Sequence, residues 1–516
     1  MNALDTKFVD SLTAPNIRNI FERLEKSKTD IISGEICLAR GCDKITHKMF
    51  FDNIDHHISL ICEKGKSGKY LFMPFKERKE PKPPFTCIEE AEKEGERIGK
   101  PGKYIRILSV STIQDTVFQK LLADAINDHV EVKFRNSIDL HSYGYRKGKS
   151  SKLAVKRIKR FVDEGYLHVL DGDIRGFFDE IDHSLLVDKM CAFFGDENEL
   201  IQKFLRRFIH VDKIPPGGMK YYNHEKRSPV TKRLRGIPQG GVLSGLLANV
   251  FLFDFDSYVI NNLMPKYNFR YFRYADDFVL MFRDKTHIDE VYKLIKNRLN
   301  DIEGLFLHEI GDKTKRIDLT PAGVGKFDFL GFEISPKHLR IKKTNVKKFI
   351  NRIRQTLEEI DETKFDDKFS WESSYFWRVV KNINHKIVGL EDSIEQRDGI
   401  CPSCKLPIKK RSWMGYFVMV TDVRQLRNID KLVRTEIYRD YHRRMKIRQD
   451  VTNTHIQLKH VRKKEMLSRT LAIGLKSIEK QYYIYRKQAK KHKNLLFCEC
   501  LRFYDAETEM LRVKEN

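Results

Sequence analysis

The sequence predicts an α+β fold in which helices pack around an antiparallel sheet. Residues 166–170 and the runs on either side of position 275 are rich in β-branched and aromatic side chains, which favour strands. Residues 16–28 and 346–360 instead repeat apolar side chains at helical spacing. With 516 residues, of which 41% are hydrophobic, the chain can bury cores for about two to four domains.

The first 64 residues are predicted to be mostly helical. Ile17, Ile20, Phe21 and Leu24 recur at helical spacing, which gives one face of a helix over residues 16–28 an apolar surface. The charged, proline-containing residues 76–84 predict an extended loop, and the residues that follow, up to Arg97, predict a polar helix.

Residues 270–282 predict a β-hairpin with two adjacent carboxylates, Asp276 and Asp277, at its tip. Adjacent acids repel each other, and packing gives no reason to place them between two buried strands. A divalent cation removes this repulsion. Hard oxygen ligands suit Mg²⁺, which binds few carboxylates and leaves room for substrate phosphates.

A third carboxylate is expected at the end of the strand that residues 166–170 predict. This strand leads directly into Asp171, Gly172 and Asp173. Because side chains alternate along a strand, Asp171 and Asp173 lie on one face. The residues by themselves therefore leave both as candidates for the third metal ligand.

The last third of the chain is predicted to be basic and mostly helical. Residues 341–395 place apolar side chains at helical spacing among Lys and Arg. Within residues 396–516, the segments 438–448 and 482–493 mix aromatic and cationic side chains. Such segments bind RNA through phosphates, 2′ hydroxyls and stacking, or form amphipathic helices with solvated basic faces, and both interpretations stay open.

Two cysteine pairs in this last region have the spacing of metal ligands. Cys401 with Cys404, and Cys498 with Cys500, predict a structural Zn²⁺ site that joins the two segments, although their separation weakens the signal. The nine cysteines of the chain are otherwise scattered, which is typical of a reducing cytoplasm.

The net charge of +25 predicts a polyanionic partner held through its phosphates. No stretch of the sequence approaches a transmembrane span, and the first residues lack the apolar core of a signal peptide. We therefore expect a cytoplasmic protein that binds nucleic acid and no membrane.

Several segments together resemble the reverse transcriptases of bacteria, of the group II intron, retron and phage-defence types. They follow the family's order over about residues 65–345, and an ordered series is far more specific than one Asp-Asp pair. In order, the segments are Lys100-Pro-Gly-Lys-Tyr-Ile-Arg106 with Asp115, Ser142-Tyr-Gly-Tyr-Arg-Lys-Gly-Lys-Ser150, Asp173-Ile-Arg-Gly-Phe-Phe178, Gly236-Ile-Pro-Gln-Gly-Gly-Val-Leu-Ser-Gly-Leu-Leu-Ala-Asn249, Tyr274-Ala-Asp-Asp277, Gly311-Asp-Lys-Thr314 and Phe327-Asp-Phe-Leu-Gly-Phe332.

The resemblance implies a right-hand polymerase. Residues 65–340 would form the fingers and an RRM-like antiparallel palm, and residues 341–395 a helical thumb that grips the template–primer duplex. It also favours Asp173 over Asp171. Asp173, Asp276 and Asp277 would then hold two Mg²⁺ ions, for which Mn²⁺ can substitute, that activate a primer 3′ hydroxyl and steady the leaving pyrophosphate.

Charged contacts to the nucleotide are implied by the same resemblance. Lys100 and Arg106 would neutralise the triphosphate, and Arg suits a bidentate grip. Lys313 would contact or protonate the pyrophosphate, and Arg146 would contact template or nucleotide.

Two uncharged contacts are implied as well. Gln239 lies in a glycine-rich turn that allows a close approach to the nucleotide. Phe178 matches the position where this family places an aromatic ring under the sugar. A ring there crowds a 2′ hydroxyl and so favours deoxynucleotides.

Departures from the family pattern argue against an ordinary intron-encoded enzyme. Gly245 follows Ser244 where many relatives have Pro, and Thr116 stands where intron enzymes usually have Arg. No paired-histidine endonuclease motif follows Cys404, so His442, His455 and His460 are interpreted as ordinary surface histidines.

Three functions follow from these observations. The first is an RNA-directed DNA polymerase that copies a dedicated non-coding RNA in antiphage defence, with deoxynucleoside triphosphates as substrates and DNA as product. The second is a group II intron maturase, and the third is a non-catalytic RNA-binding scaffold. The residues do not identify the template, the primer (RNA, DNA or a tyrosine of the protein) or whether the protein forms a homo-oligomer.

Overall fold

The structure is a computed structural model. It describes residues 2–28, 36, 39–82, 84–85, 87–195, 197–218, 230–323, 325–365, 370–388, 413–452 and 474–484. The chain divides into two compact units, one of residues 1–147 and 168–316 and the other of residues 148–167 and 317–516.

Helices and short strands alternate along the chain, which confirms the predicted α+β class. The helices are α1 (Ala3–Ser11), α2 (Ala14–Lys28), α3 (His47–Asp52), α4 (Ile54–Lys66), α5 (Ile88–Arg97), α6 (Ile113–Ser137), α7 (Ser151–Asp163), α8 (Phe177–Glu180), α9 (His183–Phe194), α10 (Glu199–Ile209), α11 (Ser244–Phe251), α12 (Phe253–Tyr258), α13 (Met264–Tyr267), α14 (Ile288–Asp301), α15 (Lys343–Glu358), α16 (Trp371–Val388), α17 (Trp413–Tyr416) and α18 (Val423–Thr452). The strands are β1 (Phe75–Pro81), β2 (Ile105–Val110), β3 (His168–Asp173), β4 (Lys213–Ile214), β5 (Arg270–Tyr274), β6 (Asp277–Phe282), β7 (Lys315–Asp318), β8 (Phe327–Phe329), β9 (Phe332–Ile334) and β10 (Leu339–Ile341).

An antiparallel sheet lies at the centre of the first unit. Its strand order is β5-β6-β3-β7, and β7 carries the chain to the boundary at Arg316. Strand β6 pairs with β5 on one side and with β3 on the other. Its residues Phe278 to Met281 are fully buried because helices cover the sheet, and the apolar cluster of this unit continues from β6 into α6, α9 and α11.

A second sheet, in the order β2-β1-β4, corrects one expectation from the sequence. The charged residues 76–84 were predicted to form an extended loop, but β1 pairs with β2 in antiparallel register through Pro81. The charges are tolerated because most side chains of β1 are only partly buried. The polar helix expected after this segment is α5.

A buried ion pair connects the hairpin of β5 and β6 to the helices behind it. Arg273 donates to both carboxylate oxygens of Asp256, at 2.8 and 2.5 Å, and neither side chain is exposed to solvent. The same guanidinium donates to Asn249 Oδ1, to the carbonyl of Ala275 and to Ser142 Oγ, at 3.0, 2.9 and 3.1 Å. One side chain thus fixes a strand, two helices and the hairpin loop.

The second unit is a helical bundle with a small sheet, β10-β9-β8. Helix α18 joins α15 through the bidentate pair Arg354–Glu436 and joins α16 through a 2.9 Å hydrogen bond from Tyr375 to Asp440. Helices α15 and α16, from the thumb predicted for residues 341–395, therefore pack against α18, from the region predicted for residues 396–516.

Helix α7 belongs to the second unit although the sequence on either side of it belongs to the first. It is held there by Ser151, whose hydroxyl lies 2.9 Å from that of Tyr416, and by Lys152, which donates to the carbonyl of Gly415 at 3.3 Å. Its apolar face, which includes Leu153 and Ile158, is buried.

Of the helices within the described ranges, none combines the length and the apolarity needed to cross a bilayer. The four cysteines of the expected zinc site, Cys401, Cys404, Cys498 and Cys500, lie outside the described residues, as do His455 and His460.

Replacing Asp256 by Ala is expected to lower the free energy of unfolding by about 3–5 kcal/mol, because it leaves the guanidinium of Arg273 buried without its counter-charge. Urea unfolding followed by circular dichroism measures this change. The matched control is Asp289→Ala, which removes the exposed partner of Arg316 and should change stability little. Equal losses in the two variants would contradict the structural role of the buried pair.

Candidate active site

The hairpin between β5 and β6 presents the Asp-Asp pair. Tyr274 pairs with Asp277, which leaves Ala275 and Asp276 as a two-residue loop. Ala275 has a φ of +59°, a left-handed conformation that L side chains adopt at a cost of roughly 1–2 kcal/mol. Gly144 lies against this loop so closely that a Cβ atom there would come 2.5 Å from the nitrogen of Ala275. The loop therefore depends on glycine at position 144.

The neighbouring strand brings a third carboxylate to the same edge. In the register of β3 and β6, Asp173 lies opposite Asp277, whereas Asp171 lies opposite Val279, two residues deeper in the sheet. Between them, Gly172 leaves room for the ring of Phe278, which a Cβ atom would contact at 2.3 Å. Strand pairing thus places Asp173, rather than Asp171, beside the Asp-Asp loop.

The carboxylates of this edge destabilise one another's charged forms. Burial raises the pKa of Asp277 to about 7, and the charges of Asp276, Asp173 and Asp171 add to this effect. Burial also raises the pKa of Asp276, with a further contribution from Asp173. This donor set fits a hard divalent cation, which would neutralise the repulsion.

No three His, Cys, Asp or Glu side chains in the described part of the chain already converge as a closed metal site. At the carboxylate edge, one oxygen of Asp173 is engaged by other groups. Its Oδ1 atom lies 3.2 Å from Nζ of Lys313 and 3.3 Å from Nε2 of His308.

The segment after α14 carries Lys313 and His308 and is joined to the strand end of Asp173 by backbone hydrogen bonds. The backbone N–H of His308 donates to the carbonyl of Asp173 at 3.0 Å, and Arg175 donates to the carbonyl of Phe306 at 2.8 Å. On its other side, the imidazole of His308 lies 2.9 Å from Oδ2 of Asp312. Asp312, His308 and Asp173 form a chain of contacts that the sequence alone did not indicate.

A cationic rim lies next to the carboxylates. Arg106, in β2, contributes to the pKa of Asp276, and Lys100 acts on Asp312, whose pKa is lowered first by its hydrogen bond with His308. Lys82, at the end of β1, was not among the candidates from the sequence. Its pKa is lowered by burial and then by the charges of Lys313 and Arg106, so Lys82 belongs to the same rim.

Lys82 was missed because residues 76–84 were interpreted as an extended loop. Lys82 directly follows β1, next to the pair Pro81–Ile105 and two positions from the pair Glu80–Arg106. If residues 75–81 had been recognised as a strand paired with residues 105–110, Lys82 would have been predicted to lie near Arg106.

The glycine-rich segment around Gln239 is joined by backbone hydrogen bonds to β2 and to Phe178 in α8. The carbonyl of Gln239 accepts from the backbone of Ser109 in β2 at 2.8 Å, and the carbonyl of Phe178 accepts from Ile237 at 2.8 Å. Phe178 is buried, and its ring packs edge to face against Phe177 and Tyr145.

Arg146, for which a contact with template or nucleotide is expected, is paired with acids inside the protein. Its guanidinium is fully buried, lies 2.9 Å from Glu131 and 3.3 Å from Asp139, and donates to the carbonyl of Ser142 at 2.9 Å. An arginine paired in this way is structural. The preceding residue, Tyr145, is the one whose side chain is exposed beside Phe178.

Comparison with known proteins finds likenesses over part of the chain. The family model described as "Reverse transcriptase (RNA-dependent DNA polymerase)" matches residues 98–334. Group II intron-encoded protein LtrA of Lactococcus lactis subsp. cremoris is 30% identical over 228 residues, which are 43% of this chain and 34% of that protein. Protein YkfC of Escherichia coli (strain K12) is 26% identical over 282 residues, 48% of this chain and 68% of that protein.

Solved structures give a more distant likeness. Apo telomerase from Candida Tropicalis has a TM-score of 0.41 at 11% identity, over 90% of this chain and 88% of that one. The chain spans about a third of the length of the Lactococcus relative.

The pKa of about 7 for Asp277 predicts a pH-dependent stability. A carboxyl group with a raised pKa binds its proton more tightly in the folded state, so the free energy of unfolding should fall as pH rises from about 4 to about 7. Mg²⁺ should restore stability at pH 8 and do so less at pH 5, because protonation competes with the metal.

Melting temperatures at pH 5 and pH 8, with and without MgCl₂, measure both effects. The Asp277→Asn variant lacks the titrating group and should lose this part of the pH dependence and most of the response to Mg²⁺. An identical pH and Mg²⁺ response in the variant and the unmodified protein would show that Asp277 is not the group involved.

The contact chain through His308 predicts an effect on metal affinity. His308→Ala should weaken Mg²⁺ binding by about 10–100-fold, because Asp173 loses a neighbour that orients it. His308→Gln keeps a donor near Asp173 and should recover most of the affinity. Isothermal titration calorimetry measures these constants, with the exposed His287→Ala as control; equal affinities for all three variants would refute the role of His308.

Proposed function

We propose that this chain, which carries a reverse transcriptase domain over residues 98–334, is an RNA-directed DNA polymerase. The observation that supports the proposal best is that two separate segments bring three carboxylates to one edge of the sheet. Asp173 lies opposite Asp277 across β3 and β6, and Asp276 occupies the adjoining loop. A scaffold that only bound RNA would have no use for three partly buried acids at one edge.

Asp173, Asp276 and Asp277 would hold Mg²⁺, or Mn²⁺ in its place. The bound cations would supply Lewis-acid chemistry, lowering the pKa of a primer 3′ hydroxyl and neutralising the charge that develops on pyrophosphate. In the reaction, the 3′ oxygen forms a bond to the α-phosphorus, the bond from that phosphorus to the bridging oxygen breaks, and pyrophosphate leaves.

The cationic rim would bind the triphosphate. Arg106 lies in β2 and Lys82 directly follows its partner strand β1, while Lys100 and Lys313 both act on the charge of Asp312. Because Lys313 lies 3.2 Å from Asp173, it can pass from the carboxylate to a phosphate oxygen over a short distance. Lys82 is thereby added to the contacts that the sequence indicated.

Two further residues would shape the nucleotide pocket. Phe178 would lie under the sugar and exclude a 2′ hydroxyl, which selects deoxynucleotides. Gln239, anchored through its carbonyl on β2, would approach the nucleotide from the glycine-rich loop.

The template we propose is a dedicated non-coding RNA, copied in antiphage defence. The net charge of +25 supports an RNA partner, and the absence of a paired-histidine nuclease motif in the sequence separates the chain from intron-encoded enzymes that carry one. The alternative is a group II intron maturase, which the 30% identity to an intron-encoded protein favours. A non-catalytic scaffold is the third candidate.

Replacing Asp276 and Asp277 together by Asn is expected to abolish primer extension on an RNA template, by about 10³-fold or more, because the metal ligands are lost. Incorporation of labelled deoxynucleotides measures the rate. Asp301→Asn, an exposed acid at the end of α14, is the control and should keep full activity.

The same variants, purified with their bound nucleic acids, distinguish the biological roles. One defined RNA with complementary DNA, present in the unmodified protein and missing from the double variant, would support the dedicated template. Intron RNA would select the maturase. Bound RNA with no primer extension by either protein would refute the polymerase and select the scaffold.

A further inference from the structure

Tyr145 holds a backbone conformation that a bulky residue rarely adopts. Its φ is +56°, in the left-handed region, where an aromatic side chain is an outlier. Such strain persists only where the surroundings enforce it, and it is concentrated at functional sites. Here the chain is fixed on both sides, because Gly144 is wedged against Ala275 and Arg146 is buried against Glu131.

The strained backbone projects the ring of Tyr145 over the start of α11. A Cβ atom on Gly245 would come 2.4 Å from Cγ of Tyr145, so the ring lies directly on that glycine. The ring is 6.1 Å from the ring of Phe178, at an interplanar angle of 83°. Nevertheless, 58% of Tyr145 is exposed.

The surroundings of Tyr145 place it at the proposed nucleotide pocket. Burial raises the pKa of its hydroxyl, and the charges of Asp276 and Tyr274 raise it further while Arg106 lowers it. The ring therefore lies among a metal ligand, a triphosphate contact and the residue under the sugar. A tyrosine that only filled the core would not remain open to solvent at this point.

Hydrogen bonds fix the main chain of Phe178, but they do not fix its ring. Its carbonyl is fixed by Ile237, but its ring is held by packing, with Phe177 at 5.4 Å and Tyr145 at 6.1 Å. Because the ring packs edge to face against Tyr145, removal of Tyr145 opens space into which the ring of Phe178 can move.

We propose that Tyr145 is a specificity-determining residue that supports Phe178, so that the aromatic pair, and not Phe178 alone, excludes ribonucleotides. This inference rests on the proposed polymerase function. Tyr145 does its work through the position of Phe178, and the ring, rather than the hydroxyl, is the part required.

The test measures kcat/KM for one deoxynucleotide and its ribonucleotide on the same RNA template. Tyr145→Gly should lower the preference for the deoxynucleotide by about tenfold or more, mainly through a lower KM for the ribonucleotide. Glycine accepts a positive φ without strain, so the melting temperature of this variant should not fall. Tyr145→Phe keeps the ring and should keep the preference.

Two comparisons make the result specific. Tyr483→Ala, which removes an exposed tyrosine of the other unit, should leave the preference unchanged. The double variant Tyr145→Gly/Phe178→Ala should show the same preference for the deoxynucleotide as Phe178→Ala alone, because both changes remove the same steric barrier.

Equal losses of activity with both nucleotides in Tyr145→Gly would overturn the proposal, since the ring would then serve template or primer. An unchanged preference, or a loss of preference in Tyr145→Phe, would overturn it as well. If the unmodified protein incorporates neither nucleotide, the polymerase proposal fails first.

Discussion

The buried pair of Arg273 and Asp256 is the constraint on which the geometry of the site depends. A single guanidinium, removed from water, satisfies its donors with a carboxylate on α12, an amide on α11, a hydroxyl before Gly144 and the carbonyl of the strained Ala275. Buried charge is costly unless it is fully paired, so the pair specifies one arrangement of these parts. The acidic loop is held in place from behind, by groups that do not themselves face solvent.

The carboxylate edge of the sheet and the cationic rim beside it carry complementary charges. Burial disfavours ionised Asp277, and its neighbours disfavour it further. Lys313 offsets part of this charge at Asp173, and Arg106 and Lys82 continue the positive potential along the second sheet. A pocket that repels its own charges when empty gains most from ligands that carry both metal ions and phosphates.

The local sequence predicted the parts of the site that depend on strand-forming residues and on side-chain alternation. Aromatic and β-branched runs marked the hairpin of Asp276 and Asp277, and alternation narrowed the third acid to Asp171 or Asp173, a choice that strand register resolves. Long-range packing determines the rest. Lys82 could be found only if the charged residues 75–81 were recognised as a strand. Arg146 is buried because it pairs with Glu131 and Asp139. His308 is brought to Asp173 by a backbone hydrogen bond. The extent of the helical bundle likewise depends on α18, in which Glu436 pairs with Arg354 of α15 and Asp440 accepts a hydrogen bond from Tyr375 of α16.

The position of α7 has a consequence for the order in which the protein acquires its structure during translation. Its hydrogen bonds to Tyr416 and Gly415 reach residues more than 250 positions later in the chain. A ribosome adding about 5–20 residues per second needs at least ten seconds or so to deliver them. Throughout that interval α7, which separates the two segments of the first unit in sequence, lacks these contacts with the second unit. The final placement of α7 is therefore a late step of synthesis.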